Sequence, residues 1–113
     1  MKYKSQNPKK KSLKNDDESS KIEFELSLLQ RHMAMLKAII ENEPIGIIRL
    51  SEMLDCPQHK VRYSLRILEQ EGLIKRSLEG AVTTDNIEDF LVRLEKILEG
   101  IVKSVNDIEK SVR

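Results

Sequence analysis

Apolar residues recur at Ile22, Leu26, Leu29, Met33, Leu36 and Ile40 in steps of four and three, the spacing of one face of an α-helix. Just before this run, Ser20 and Glu23 stand in the S-x-x-E arrangement, in which each side chain can satisfy the other residue's unpaired backbone N–H. Pro44 has no N–H to donate and disfavours helix in the residue before it, so the pattern predicts one long helix over 22–42.

The short apolar run Ile45–Ile48, with Gly46 inside it, predicts a brief β segment, followed by a short helix around Leu50–Leu54 and a tight turn at Asp55 and Cys56. Pro57 suits the first position of a helix and Gly72 a left-handed end, which predicts a helix over 57–71. Two β-prone pieces, Leu73–Ser77 and Ala81–Thr84, flank a turn centred on Glu79 and Gly80 and predict a small hairpin. Asp85 and Glu88 repeat the capping-box spacing, and a last helix runs nearly to the C-terminus. Gly100 alone interrupts it, at a place where a bend and a close helix approach are both open.

Along that last helix Ile87, Leu91, Leu94, Leu98, Ile101, Val105, Ile108 and Val112 alternate steps of four and three, a sustained heptad seam. Phe90, Ile97 and Val102 widen the stripe, enough to serve a partner and also the first helix. A helix of roughly 25 residues is about 40 Å long at 1.5 Å per residue, longer than a small helical core. Residues Ile87 to Ile108 of the seam are therefore expected to dimerise two copies of the chain; burial within one copy is the competing arrangement. The 113 residues then divide into an arm over 1–19, a core domain over 20–84 and a dimerisation helix over 85–113, with no room for a second independent core.

Composition refines this picture. Apolar residues make up 39% of the chain, charged residues 35% and aromatics 4%, as in a helix-rich protein with a modest core. Lys2, Lys4, Lys9, Lys10, Lys11 and Lys14 precede any acid, so a chain of net charge +1 leaves −5 for everything after this +6 segment. That opening stretch is too polar to offset the entropy of ordering it and is expected to be a disordered arm. With the rest acidic, binding to an anionic partner must rest on a local basic face. No stretch is long and apolar enough to span a membrane, no apolar segment follows the lysines as in a secretory signal, and one cysteine cannot form an internal disulfide; a cytoplasmic protein is expected.

Chemistry is sparse. Cys56 and His59 have a C-x-x-H spacing, but His32 is the sole other histidine and there is no second cysteine, so three or four ligands cannot be gathered. Neither a nucleophile–base pair nor a glycine-rich phosphate loop is present; no catalytic residue, no metal and no cofactor are assigned, and the protein is expected not to be an enzyme.

The stretch from Ile48 to Ile74, IRLSEMLDCPQHKVRYSLRILEQEGLI, resembles prokaryotic winged helix-turn-helix transcription regulators of the MarR-like and PadR-like kind, with its L-R-x-L-E-x-x-G-L-I ending just before the wing. The resemblance spans roughly residues 31–84 and implies a mainly α fold with a small β-hairpin wing, with long N- and C-terminal helices available for dimerisation. It also implies that the 57–71 helix lies in the major groove of double-stranded DNA. Independently, Val61, Leu65 and Leu68 share one helix face, which leaves His59, Arg62, Tyr63, Arg66 and Gln70 opposite, flanked by Gln58 and Lys60. Arginine reads guanine edges or holds phosphate, and Gln, His and Tyr serve base edges or backbone.

By the same resemblance Lys75 and Arg76 are wing residues that touch phosphates, and Cys56 takes a turn position where the family buries a small aliphatic residue. Glu79 at the wing tip departs from the pattern, since an acidic tip is ill suited to the minor groove. Arg49 resembles a family phosphate contact and reads equally well as a plain surface arginine. A two-fold dimer would set two such helices about 34 Å apart and predicts an inverted-repeat site. A winged helix serving as a protein-interaction module in a transcription or assembly complex is the competing function, and no residue names an effector ligand.

Overall fold

The computed structural model describes residues 21–113, the side chain of Ile22 apart; the 1–19 arm and Ser20, the capping residue expected to pair with Glu23, lie outside the described residues. In chain order the elements are α1 (Lys21–Asn42), α2 (Ile47–Leu54), α3 (Gln58–Gln70), β1 (Ile74–Ser77), β2 (Gly80–Thr83) and α4 (Ile87–Val112). Among the described residues four helices and one antiparallel hairpin give the mainly helical, winged-helix-like layout expected.

The core gathers Met35, Leu36, Ala38 and Ile39 of α1, Leu50 of α2, and Val61, Leu65 and Leu68 of α3, closed by Ile45, Cys56, Leu73, Ile74 and Ala81. Cys56 is 3% exposed and fills the small apolar turn position expected of it. The face that α1 buries shares Leu36 with the expected stripe, with Met33 at its edge, and is otherwise different. Arg31, Met35, Ala38 and Ile39 turn inward, whereas Leu26, Leu29 and Ile40 are 55%, 39% and 36% exposed. Between Met33 and Ile40 every residue but Lys37 is apolar, so two stripes compete there, and the core takes the one about 140° round the helix from the longer run.

The strand expected over Ile45–Ile48 shrinks to one residue. Ile45 pairs with Ala81 through two backbone hydrogen bonds of 2.8 and 3.2 Å, and α2 then begins at Ile47 rather than near Leu50. Gly46, extended at φ −95° and ψ 177°, caps α2 by accepting from the Leu50 N–H, which brings Ile47, Leu50 and Leu54 onto the core side at helical spacing. Arg49 is thus the third residue of α2.

Helix ends are set by local hydrogen bonds. Asp55 takes a left-handed conformation (φ 50°) and Cys56 N–H reaches the Ser51 carbonyl, closing α2. Pro57 is the cap of α3 rather than its first residue, its carbonyl accepting from Lys60 and Val61. At the other end Gly72 (φ 77°) donates to Glu69 and Leu73 to Leu68, the paired bonds of a Schellman ending, with Leu68 and Leu73 both buried.

The hairpin turn is Leu78–Glu79, one residue earlier than expected, with Ser77 paired to Gly80. Ser77 Oγ holds the turn by donating to the Gly80 carbonyl and accepting from the Glu79 N–H. Gly80 follows at φ 131° because its α-carbon lies against the Ile45 backbone. The wing is tied to the end of α1 by Glu43, whose carboxylate accepts from the Thr83 N–H at 2.7 Å and from its hydroxyl. The Asp85–Glu88 capping box does not form: Asn86 is the cap of α4 and makes no side-chain capping bond to the helix. Instead Thr84 Oγ1 and Asn86 Nδ2 both donate to the Gly72 carbonyl, at 2.6 and 3.1 Å. No helix among the described residues is long and apolar enough to cross a membrane.

Candidate nucleic-acid interface

Helix α3 presents two faces because its core contacts repeat at 61, 64, 65 and 68. Val61, Leu65 and Leu68 are 0%, 1% and 2% exposed, and this burial turns His59, Arg62, Tyr63, Arg66 and Gln70 outward, all of them exposed. Gln58 is exposed beside them and accepts a long 3.5 Å hydrogen bond from Arg62. Lys60 is half-buried and lies about 100° round the helix from His59, so it belongs to the flank and not to this face.

Arg66 carries its guanidinium 6.0 Å over the Tyr63 ring, a cation–π distance that aligns both side chains without consuming the guanidinium's in-plane donors. Those donors are what a guanine edge or a phosphate requires. On the wing, Lys75 is exposed, while Arg76 turns toward α3 and pairs loosely with Glu69 at 3.8 Å. The wing thereby adds one arginine to the edge of the α3 face, and the exposed pair carries little energy of its own. Arg49 is exposed on α2. Leu78, wholly exposed, precedes Glu79 at the wing turn.

The periodicity did not reveal a polar cluster behind this face. Ser64, 0% exposed, faces α1, where its hydroxyl accepts from the Nε of the buried Arg31 at 2.9 Å and meets His32 Nδ1 at 2.9 Å. Arg31 also lies 5.9 Å from the centre of the Tyr63 ring, and the His32 ring is 6.0 Å from the same ring. Tyr63 thus has Arg31 and His32 of α1 as well as Arg66 within about 6 Å of its ring. The one signal was Ser64 itself, a polar residue on the same stripe as Val61, Leu65 and Leu68, which must find a partner when buried.

Burial, and then the neighbouring Arg31 charge, holds the His32 imidazole below its ordinary pKa. In the unfolded chain the imidazole takes up a proton as pH falls through about 6.5, whereas in the folded chain it resists. The unfolded state then binds more protons, so this contribution to stability is present at neutral pH and declines as pH drops below that value. Urea midpoints measured at pH 7.5 and 5.5 should show a loss for the wild type that His32→Gln reduces; equal losses would mean the imidazole titrates freely.

The fold, with this face placed on it, can be compared with known structures. The chain is similar in fold to the activation domain of the phage T4 transcription factor MotA. The similarity has a TM-score of 0.50 and 16% sequence identity, and covers 73% of this chain and 82% of that one. No protein-family model and no curated protein matches the sequence. At this identity the MotA domain bears on the architecture of the chain and not on the chemistry of its α3 face.

Proposed function

We propose that this protein binds double-stranded DNA as a homodimer and regulates transcription. In this reading α3 enters the major groove, where Arg62, Arg66, His59 and Gln70 meet base edges, and Lys75, Arg76 and the lysine-rich arm meet phosphates. The observation that carries it is the outward face of α3, a basic and hydrogen-bonding surface on a chain that is acidic after its first residues. The fold likeness to a domain of a transcription factor supports a role in transcription. Occupying a promoter makes repression the simplest mechanism, and no catalytic step is proposed.

The test is binding of the purified protein to fragments of its own upstream region and to random duplexes across a salt series. Tighter binding to the specific fragment, with affinity falling steeply as salt rises, is expected. Equal failure on every duplex at low salt would remove DNA as the partner. The second reading, a protein-interaction module of a transcription complex, is favoured by the likeness to an activation domain, that of MotA, and by the exposed Tyr63–Arg66 pair, residue types that anchor protein interfaces.

A further inference from the structure

The exposed seam of α4 has a direction written into it. Ile87 and Phe90 pack against the chain's own core, so the free part of the seam runs from Leu91 to Val112. No residue of α4 is buried; Leu91, Leu98 and Ile101 are 41–44% exposed and Val105, Ile108 and Val112 rise from 55% to 77%. With Leu91, Leu98, Val105 and Val112 at heptad position a, and Leu94, Ile101 and Ile108 at d, the flanking positions follow. Glu95, Val102 and Glu109 fall at e, and Ile97, Ser104 and Ser111 at g. Lys96, Lys103 and Lys110 lie at f, on the side away from the seam.

In a parallel pair each g residue meets the e residue five positions later on the other strand. Ile97 then covers Val102 of the second copy, two side chains otherwise left 43% and 60% exposed, and Ser104 meets Glu109. Phe90, the g residue before them, meets Glu95 but is packed against its own core, and no like charges oppose. In an antiparallel pair e faces e. The two antiparallel registers that align six of the seven free seam residues set Glu109 against Glu88 or Glu95 of the other copy, each twice by symmetry. The first of them also sets Val102 against Glu95. Opposed glutamates repel, and an apolar side chain beside a carboxylate gains nothing from burial.

We propose that α4 pairs in parallel, in register, with α4 of a second copy of this chain. This rests on the dimer reading above and adds its direction: both winged domains stand at the same end of the coil, with the two-fold axis running along it. An antiparallel coil would hold them at opposite ends of a helix about 39 Å long.

Val112→Cys, at an exposed a position, tests the direction. Helix axes about 8–10 Å apart with Cα atoms about 2.3 Å from each axis bring facing a positions within about 4–6 Å, inside the reach of a disulfide. The expected result is a dimer by sedimentation and nearly complete interchain disulfide at micromolar protein in glutathione buffer. The wild type, whose Cys56 is buried, forms none. Val105→Cys, further from the helix end, should behave alike. In the antiparallel registers the two 112 positions stand about 27 Å or more apart, so a dimer that fails to cross-link at both positions overturns the parallel arrangement and leaves the dimer standing. A monomer by sedimentation overturns the dimer reading as well.

Discussion

Arg62→Ala/Arg66→Ala is expected to lose at least about 30-fold in affinity for a specific duplex, since each arginine–base or arginine–phosphate contact is worth about 1–3 kcal/mol. The fold should be untouched. Both side chains are exposed, on the face of α3 opposite Val61, Leu65 and Leu68, and neither contributes to the core. What they lose within the protein is a 3.5 Å bond to Gln58 and a cation–π contact with Tyr63, each a small surface term. Anisotropy titrations across a salt series, with circular dichroism as a check on folding, would show weaker binding and a shallower salt dependence. A double variant that binds as the wild type does would place the contact surface elsewhere and favour the protein-interaction reading.

Gly80→Ala is expected to be the most damaging single substitution outside the large core side chains, destabilising by about 3 kcal/mol or more. The residue sits at φ 131°, where an L side chain is strained by roughly 1–3 kcal/mol. An added Cβ would also stand 2.5 Å from the Ile45 carbonyl carbon and 2.6 Å from its oxygen. Backbone cannot step aside as a flexible side chain can. Relief requires the wing to part from Ile45, breaking the two hydrogen bonds to Ala81 that join the hairpin to the entry of α2. For a domain of this size the loss corresponds to a fall in Tm of about 12 °C or more. Gly100→Ala is the matched control: its Cβ meets nothing within 4 Å, and alanine in a helix interior should add up to about 1 kcal/mol. Equal melting temperatures for Gly80→Ala and the wild type would mean the wing is not held as described.

Helical periods of three and four were enough to place α3 and α4, and the Pro57 and Gly72 signals bounded α3 to within a residue. The misreadings share a cause, in that a contact from a distant part of the chain decided between local options of similar merit. For α1, two apolar stripes overlap from Met33 to Ile40, and packing against α3 chose the one with Met35 and Ile39. The apolar run at Ile45 became a single bridge residue because only Ala81 lies alongside it. By sequence Gly80 reads as part of the turn itself, whereas close approach to Ile45 is what requires a glycine there. On the candidate interface the outward α3 residues were legible from periodicity alone. The Arg31–Ser64 bond, between residues 33 apart, was not, because nothing in the local pattern says which helix a buried serine will meet.

The Gly72 carbonyl, which receives both the Thr84 hydroxyl and the Asn86 amide, makes the junction between α3 and α4 a fixed elbow. The same residue terminates α3 through its left-handed backbone, so a single peptide group anchors the end of one helix and the start of the next. In the proposed dimer α4 acts as a lever with its fulcrum at this carbonyl, and the angle at which it leaves sets how far apart two α3 helices stand. Substitutions at Thr84 or Asn86 would then alter which spacing of half-sites is accepted, a geometric preference distinct from the strength of any contact made by α3.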